Sequence, residues 1–256
     1  MRVAVVIPAY NEAATIRNVV TRALAQCERV VVVDDGSTDG TAQRLSGLGA
    51  TVLRHDANRG KAAALCSGFE CALAGDIDAV ITLDGDGQHL PEDIPRIVAA
   101  AEKSPERIII GSRVANCAAF PKQRYYANCT ASFWISWAAG YRIDDSQSGF
   151  RLYPASLLRR LRLPHDHAHG FVFESEVLIE AANLGVYSES VTIEAIYAVH
   201  ARASHFRAVV DVLRIARMVA WKLLSRAMYP QGFVRAFLGR HAPATPPADV
   251  VRHVRR

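Results

Sequence analysis

The sequence predicts an α/β fold, a doubly wound and mostly parallel sheet flanked by helices, and three observations carry that prediction. Apolar, β-branched-rich runs recur at Val3–Ile7, Val30–Val33 and Ala79–Leu83. They are continuous rather than alternating, which is how strands buried on both faces of a parallel sheet read. Helical stretches separate them, and each run empties into polar, mostly acidic residues.

Taken in order, Val3–Ile7 leads into Pro8-Ala9-Tyr10-Asn11-Glu12. The helix Glu12–Gln26 follows, with Ile16, Val19, Val20, Ala23 and Leu24 as its apolar side. Val30–Val33 leads into Asp34-Asp35-Gly36-Ser37 and a helix over Thr38–Leu48. Gly60–Leu73 is the next helix, and Ala79–Leu83 runs into Asp84-Gly85-Asp86, completing a βαβαβαβ order. Ile94–Glu102 reads as a helix and Arg107–Ile110 as a strand. Residues 114–143 read as a connection rich in aromatics (Phe120, Tyr125, Tyr126, Phe133, Trp134, Trp137). Phe171–Asn183 is a helix, Tyr187–Tyr197 a strand or two, and Phe206–Met228 a C-terminal amphipathic helix. Pro243–Arg256, rich in Pro, Ala and Arg, is expected to be disordered.

Composition narrows the function classes. Half of the 256 residues are hydrophobic, enough for a large core. Five cysteines, Cys27, Cys66, Cys71, Cys117 and Cys129, form no CxxC pair and read as reduced, mostly buried thiols of a cytoplasmic protein. No Cys/His spacing suits zinc. No window reaches the roughly 20 uninterrupted apolar residues of a membrane span. The net charge of +5 is split unevenly: residues 1–201 carry −4 and residues 202–256 carry +9. An acidic body with a basic end is not the pattern of a nucleic-acid-binding domain. It suits an anionic partner such as a membrane surface.

Ligands of doubly wound sheets sit beyond the carboxyl ends of the strands. Two carboxylates one residue apart at such an end, Asp84 and Asp86, repel each other unless a cation lies between them. Gly85 and Gly87 let the backbone turn, and hard oxygen ligands suit Mg²⁺ or Mn²⁺. A solvated Asp-Gly turn is the plainer alternative. Asp34-Asp35 has a similar one, in which Ser37 or Asp39 caps a helix; otherwise Asp35 binds a ribose or base edge.

The residues Ile7-Pro8-Ala9-Tyr10-Asn11-Glu12, Val33-Asp34-Asp35-Gly36-Ser37-Thr38-Asp39-Gly40-Thr41, Asn58-Arg59-Gly60-Lys61, Leu83-Asp84-Gly85-Asp86-Gly87-Gln88-His89, Gly111-Ser112-Arg113, Asp145-Ser146-Gln147-Ser148-Gly149-Phe150-Arg151 and Phe173-Glu174-Ser175-Glu176 follow one another in this order over roughly residues 3–207. Together they resemble the family-2 glycosyltransferases of GT-A, Rossmann-like fold, in particular the polyprenyl-phosphate (dolichyl-phosphate) mannose and glucose synthases. The resemblance implies an inverting hexosyltransferase that uses a GDP- or UDP-sugar, Mg²⁺ or Mn²⁺ and a lipid-linked acceptor phosphate. It implies a nucleotide pocket at Pro8, Tyr10, Glu12, Asp35 and Lys61, metal and diphosphate held by Asp84, Asp86 and Gln88, and an acceptor phosphate gripped by Arg113 and Arg124. A phosphate monoester is already an anionic nucleophile and needs a cationic grip more than a base. A hydroxyl acceptor would need a carboxylate base, for which Asp145 is the candidate, with Glu174 and Glu176 as alternatives. A non-catalytic nucleotide-sugar-binding subunit is a rival reading, against which the intact Asp84-Gly85-Asp86 argues.

Several segments stay open. Arg202 and Ser204-His205-Phe206-Arg207 would close over the donor or the acceptor. The alternating His165, His167 and His169 would bind a metal on an extended strand, although a polar acceptor loop is the favoured reading. The domain division expected is a catalytic domain over 1–205, a basic amphipathic helical extension over 206–240 and a disordered tail over 241–256. The helix 206–228 would lie peripherally on the inner face of the cytoplasmic membrane; packing on the body, or a contact between two copies of the chain, are the alternatives.

Overall fold

The computed structural model describes residues 1–113, 122–161, 171–194 and 208–238. In chain order the strands are β1 (Val3–Ala9), β2 (Val30–Asp34), β3 (Thr51–Arg54), β4 (Ala79–Thr82), β5 (Ile108–Ser112), β6 (Arg151–Pro154) and β7 (Ser188–Thr192). The helices are α1 (Ile16–Leu24), α2 (Thr41–Arg44), α3 (Lys61–Leu73), α4 (Ile94–Lys103), α5 (Lys122–Ala139), α6 (Ala155–Arg160), α7 (Phe171–Asn183), α8 (Ala208–Leu224) and α9 (Pro230–Phe237). One seven-stranded sheet runs in the order β3-β2-β1-β4-β6-β5-β7. β1, β2, β3 and β4 are parallel, and β7 is parallel to β5. β6 runs antiparallel between β4 and β5.

The continuous apolar runs are explained by the pleat. Ala4, Val6, Val31 and Val33 enter a core on one face with Leu65 and Phe69 of α3 and Val177 and Leu178 of α7. Val5, Ile7, Val30 and Val32 enter the opposite core with Ile16, Val19 and Val20 of α1 and Ile94 and Ile97 of α4. Alternate residues thus face different helices, so neither parity can be polar.

Several elements differ from the sequence expectation, and β3 and α6 are not assigned there. The helix expected over Thr38–Leu48 shrinks to α2, because Gly40 and Gly47 take positive φ values of 90° and 77°. The aromatic connection 114–143 contains the five-turn helix α5. β6 begins with a buried arginine, which hides a strand from any apolar pattern. α9 follows a turn whose residues Ala227, Met228 and Tyr229 all have positive φ. The strand expected over Tyr187–Tyr197 is β7, and its last three residues lie outside the described ones. The four described cysteines are free, but only Cys27 is buried; Cys66 and Cys71 are half-buried and Cys129 is exposed.

For the C-terminal helix, one of the expected alternatives, packing on the body, is met by part of its apolar side. Val219 and Leu223 of α8 are buried in the core with α5 and α7, and Lys222 pairs with Glu176 at 2.9 Å and with Glu180 of α7. No helix among the described residues is long and apolar enough to cross a membrane.

Candidate active site

The carboxyl ends of β1, β2 and β4 lie side by side, since Ala9 is in register with Asp34 and Val6 with Thr82. The loops beyond them are laced together. Asn11 N donates to Ser37 Oγ (2.8 Å), Glu12 N to Thr41 Oγ1 (2.8 Å), Ala13 N to Asp39 Oδ2 (3.0 Å) and Thr38 N to Asn11 Oδ1 (2.8 Å). Ser37 and Asp39 thus hold the neighbouring loop, and Asp39 Oδ1 also accepts the amide of Thr41, the first residue of α2, at 3.0 Å. Asn11 sits in the left-handed region at φ 56°, a conformation that asparagine tolerates better than most residues. It turns the chain between buried Pro8 and half-buried Tyr10 on one side and Glu12 on the other. Thr15 Oγ1 donates to Gly85 O at 2.7 Å, tying this loop to the third strand end.

At the second strand end Asp35 is buried and heavily bonded. Its carboxylate accepts Arg59 N (2.9 Å) and Gly60 N (2.8 Å), and His55 Nδ1 lies at 2.6 Å. His55 Nε2 is 3.0 Å from Ser67 Oγ on α3. Gly36 is required next to it: φ is +72°, and a Cβ there would lie 2.6 Å from the Ala57 carbonyl carbon. His55 escaped the sequence reading, because one histidine after a strand has no motif.

The third strand end carries the charge. Lys61 Nζ lies 2.6 Å from Asp84 Oδ1 and 3.0 Å from Glu174 Oε1. Burial alone would lower the pKa of this ammonium, but the two carboxylates outweigh it and hold the group above the usual lysine range. Burial likewise pushes Asp84 up, and Lys61 overcomes that, so Asp84 ends below the usual carboxylate range. Asp86 moves the other way, raised by burial and then by the charge of Asp84. Its Oδ1 accepts Gln88 N at 2.9 Å, and no ion-pair partner of Asp86 is found among the described residues. His89 is buried against the Phe150 ring, 5.6 Å between centroids, and burial drives its pKa down to about 3. A Cβ on Gly149 would lie 2.5 Å from Asp84 Oδ2, so only glycine lets the loop after α5 approach this carboxylate.

These residues fit a hard divalent cation. Two carboxylates share one ammonium while Asp86 is left uncompensated, and Glu174 Oε2 is buried with no hydrogen-bond partner. No group of three His, Cys, Asp or Glu side chains that could hold a metal occurs among the described residues. A cation on Asp84 and Asp86 would therefore keep positions for diphosphate oxygens.

On the acceptor side Arg113 N donates to Asp145 Oδ2 (3.1 Å), and Arg113 Nε lies 3.8 Å from the same oxygen. Asp145 is wholly buried, and its Oδ1 accepts Asn128 Nδ2 of α5 at 2.9 Å. Both oxygens of the base candidate are thus spent on holding Arg113 and α5. Of the two glutamates, Glu174 faces Lys61 and Asp84, whereas Glu176 faces Lys222 on α8. Arg151, quoted above only as part of a motif, is the largest fully buried side chain. Its guanidinium donates to Ser148 O (2.7 Å), Ser146 O (2.7 Å) and Glu174 O (2.6 Å), stitching the 145–149 loop to α7. Arg124 stands on α5 but its side chain is outside the described residues, as are His165, His167, His169, Arg202 and Ser204 to Arg207.

A mixed sheet that brings acids from three parallel strand ends to one edge, with a half-buried Asp-Gly-Asp turn at its centre, is the arrangement of a GT-A-fold glycosyltransferase. The model of glycosyl transferase family 2 matches residues 4–178, and the chain belongs to that family. It is similar to a UDP-N-acetylglucosamine–dolichyl-phosphate N-acetylglucosaminyltransferase of Methanococcus voltae, 30% identical over 77% of this chain and 87% of the relative. It is also similar to a polyprenol monophosphomannose synthase of Mycolicibacterium smegmatis, 29% identical over 72% of this chain and 73% of the relative. Among solved structures, it shares its fold with glucosyl-3-phosphoglycerate synthase of Mycobacterium tuberculosis in complex with Mn²⁺, UDP-glucose and phosphoglyceric acid. The TM-score is 0.61 at 23% identity, covering 88% of this chain and 79% of that one.

Proposed function

We propose that this glycosyltransferase moves a sugar from a GDP- or UDP-sugar to a polyprenyl phosphate, with inversion at the anomeric carbon and with Mg²⁺ or Mn²⁺ as cofactor. The observation that carries the acceptor is the pairing of Arg113 with Asp145. The acceptor side offers a guanidinium 3.8 Å from Asp145, and that candidate base is wholly buried and accepts the Arg113 amide and Asn128 Nδ2. A phosphate oxygen needs no deprotonation but does need a cationic grip, and Arg113 with Arg124 would supply it. The printed activities of the relatives, transfer to dolichyl phosphate and synthesis of polyprenol monophosphomannose, support the same acceptor class.

On the donor side, Pro8, Tyr10, Glu12, Asp35 and Lys61 would line the nucleotide, with Asp35 held in place by His55 and the Arg59 and Gly60 amides. Asp84, Asp86 and Gln88 would hold the cation, which stabilises charge on the departing diphosphate. Lys61 bridges Asp84 and Glu174 and holds Asp84 below the usual carboxylate range. Asp145 acts through Arg113 and is a positioning residue in this reading. Residues 208–238 form a helical cap on a catalytic body that ends near residue 205, and the enzyme works peripherally at a cytoplasmic membrane face.

The test is product analysis with undecaprenyl phosphate and with a simple alcohol acceptor, each offered GDP- and UDP-sugars with Mn²⁺ or with EDTA. Transfer to the phosphate, lost with EDTA and in Arg113→Ala, is expected. Transfer to the alcohol alone would overturn the acceptor, and full activity in EDTA would overturn the metal.

A further inference from the structure

The carboxylate of Asp35, at the end of β2, has most of its accepting capacity in use. Oδ1 receives two donors, His55 Nδ1 at 2.6 Å and Arg59 N at 2.9 Å. Oδ2 receives one, Gly60 N at 2.8 Å. An ionised carboxylate offers about four acceptor positions, two on each oxygen. Among the described residues Oδ1 is therefore full, and one position is left on Oδ2. Turning the carboxylate to free Oδ1 would break its bonds to His55 and Arg59 together. The surroundings resist that turn. Asp35 N donates to Ala9 O at 2.8 Å, and His55 N donates to Asp34 O at 2.9 Å. His55 Nε2 is fixed from its far side by Ser67 Oγ of α3, 3.0 Å away. Loop 56–60 closes over Gly36, where the Ala57 carbonyl carbon and the Asn58 nitrogen leave no room for a Cβ. Only 3% of the Asp35 side chain is exposed, which suits one contact rather than two.

We propose that the base of the donor nucleotide is uracil, selected by the single free acceptor position of Asp35. This assignment rests on the end of β2 being part of the nucleotide pocket, as proposed above, and it narrows the donor from GDP- or UDP-sugars to UDP-sugars. The pairing edge of uracil carries one donor, N3–H, between two carbonyls. The pairing edge of guanine carries two adjacent donors, N1–H and N2–H, which grip a carboxylate through both oxygens, as a guanidinium does. At Asp35 the second guanine donor would meet an oxygen whose positions are held by His55 and the Arg59 amide. A donor buried there without an acceptor weakens binding by its full desolvation penalty. The two hydroxyls of a ribose call for the same pair of oxygens, so the free position favours the base over the ribose. Cytosine fails for another reason. Its N3 carries no hydrogen and would turn a lone pair towards the carboxylate, and N1 of adenine would do the same.

The experiment is calorimetric titration of the full chain with UDP, CDP, GDP and ADP in the presence of Mn²⁺. CDP keeps the ring size, the ribose and the diphosphate of UDP and lacks only the N3 hydrogen and its neighbouring carbonyl. UDP is expected to bind about a hundredfold tighter than CDP and about tenfold or more tighter than GDP and ADP, the range set by a hydrogen bond to a charged acceptor. Asp35→Asn places an amide nitrogen where Oδ2 stood, because its oxygen is needed opposite His55 and Arg59. That nitrogen offers a hydrogen to N3 of cytosine, so the ratio of UDP to CDP affinity should fall about tenfold or more. A thermal melt shows whether the variant is folded, and if it is not, the wild-type ratios decide alone. GDP binding as tightly as UDP would overturn the uracil assignment and leave the nucleotide pocket standing. Equal binding of UDP and CDP would overturn it as well, since Asp35 would then not read the base. A folded Asp35→Asn that keeps the full preference for UDP would remove Asp35 as the selecting group. Binding of none of the four would sink the donor reading itself, and the uracil assignment with it.

Discussion

The donor edge and the acceptor side of this molecule handle buried charge in opposite ways. Beyond β4, Asp84 and Glu174 share a single ammonium, Asp86 has no ion-pair partner among the described residues and is pushed towards its neutral form, and Glu174 keeps an unbonded oxygen. Beyond β5 and along α5, each oxygen of Asp145 accepts a hydrogen bond, from the Arg113 amide and from Asn128, and Arg151 donates to three carbonyls. A buried charge whose bonds are complete is scaffolding. A buried charge left incomplete costs stability until something binds it. In the proposed reading the donor edge would receive a cation and its diphosphate, and the acceptor side would hold one guanidinium still.

The sharpest break of this contrast is Asp86→Ala. It removes a ligand that no protein cation satisfies, so transfer should fall about a thousandfold, the several kcal/mol that a metal contributes to a leaving diphosphate. The unfolding midpoint should not fall, because relief of repulsion with Asp84 offsets the lost side chain. Single-turnover transfer and a thermal melt read the two outcomes; a large melt shift would make Asp86 scaffolding instead.

Lys61→Met separates the regions through stability. It strands Asp84 and Glu174 together, which should cost about 3 kcal/mol. Mn²⁺ should restore part of this loss in urea denaturation, since binding to the native state stabilises by mass action. Loss without recovery in Mn²⁺ would count against Asp84 as a metal group.

On the acceptor side the effects are smaller and ranked. Arg113→Ala should lower kcat/KM for a phosphate acceptor about a hundredfold, and Asp145→Asn, which loosens the arginine without removing it, about tenfold. The reverse ranking would return Asp145 to the role of base and favour a hydroxyl acceptor.

The same contrast explains what could be read from the sequence. The donor edge lies within contiguous peptides, because Asp34-Asp35 and Asp84-Gly85-Asp86 each sit at the end of an apolar run with a period that sequence can display. The parallel sheet and α1, α3 and α4 were legible for that reason. The acceptor side is assembled across distance: Asn128 meets Asp145, Arg151 meets Glu174, and Lys222 meets Glu176. Its strand β6 starts with the charged Arg151 and lasts four residues, and α5 is wrapped in aromatics that mask its periodicity. The role of Glu176 was open in the sequence for the same reason, since only α8 decides which way it faces. α8 itself stayed open between membrane and body because its apolar stripe does not say whether protein or lipid covers it.

The smallest expected effect probes a well-bonded place on the donor edge. Asp35 is held by two backbone amides and by His55, and His55 is the contact that a side-chain change can remove. His55→Phe keeps a ring against α3 and leaves Asp35 with both amides, so the fold should persist. The carboxylate then loses one of its three anchors, worth about 1 kcal/mol. If Asp35 only orients the nucleotide, the loss appears in the ground state and the transition state alike. KM for the donor should rise about fivefold with kcat unchanged, and His55→Asn, whose amide donates from near the Nδ1 position, should recover most of it. A fall in kcat with KM unchanged would mean that this strand end takes part in sugar transfer itself, and the division between a binding edge and a chemical centre at Asp84 and Asp86 would have to be redrawn.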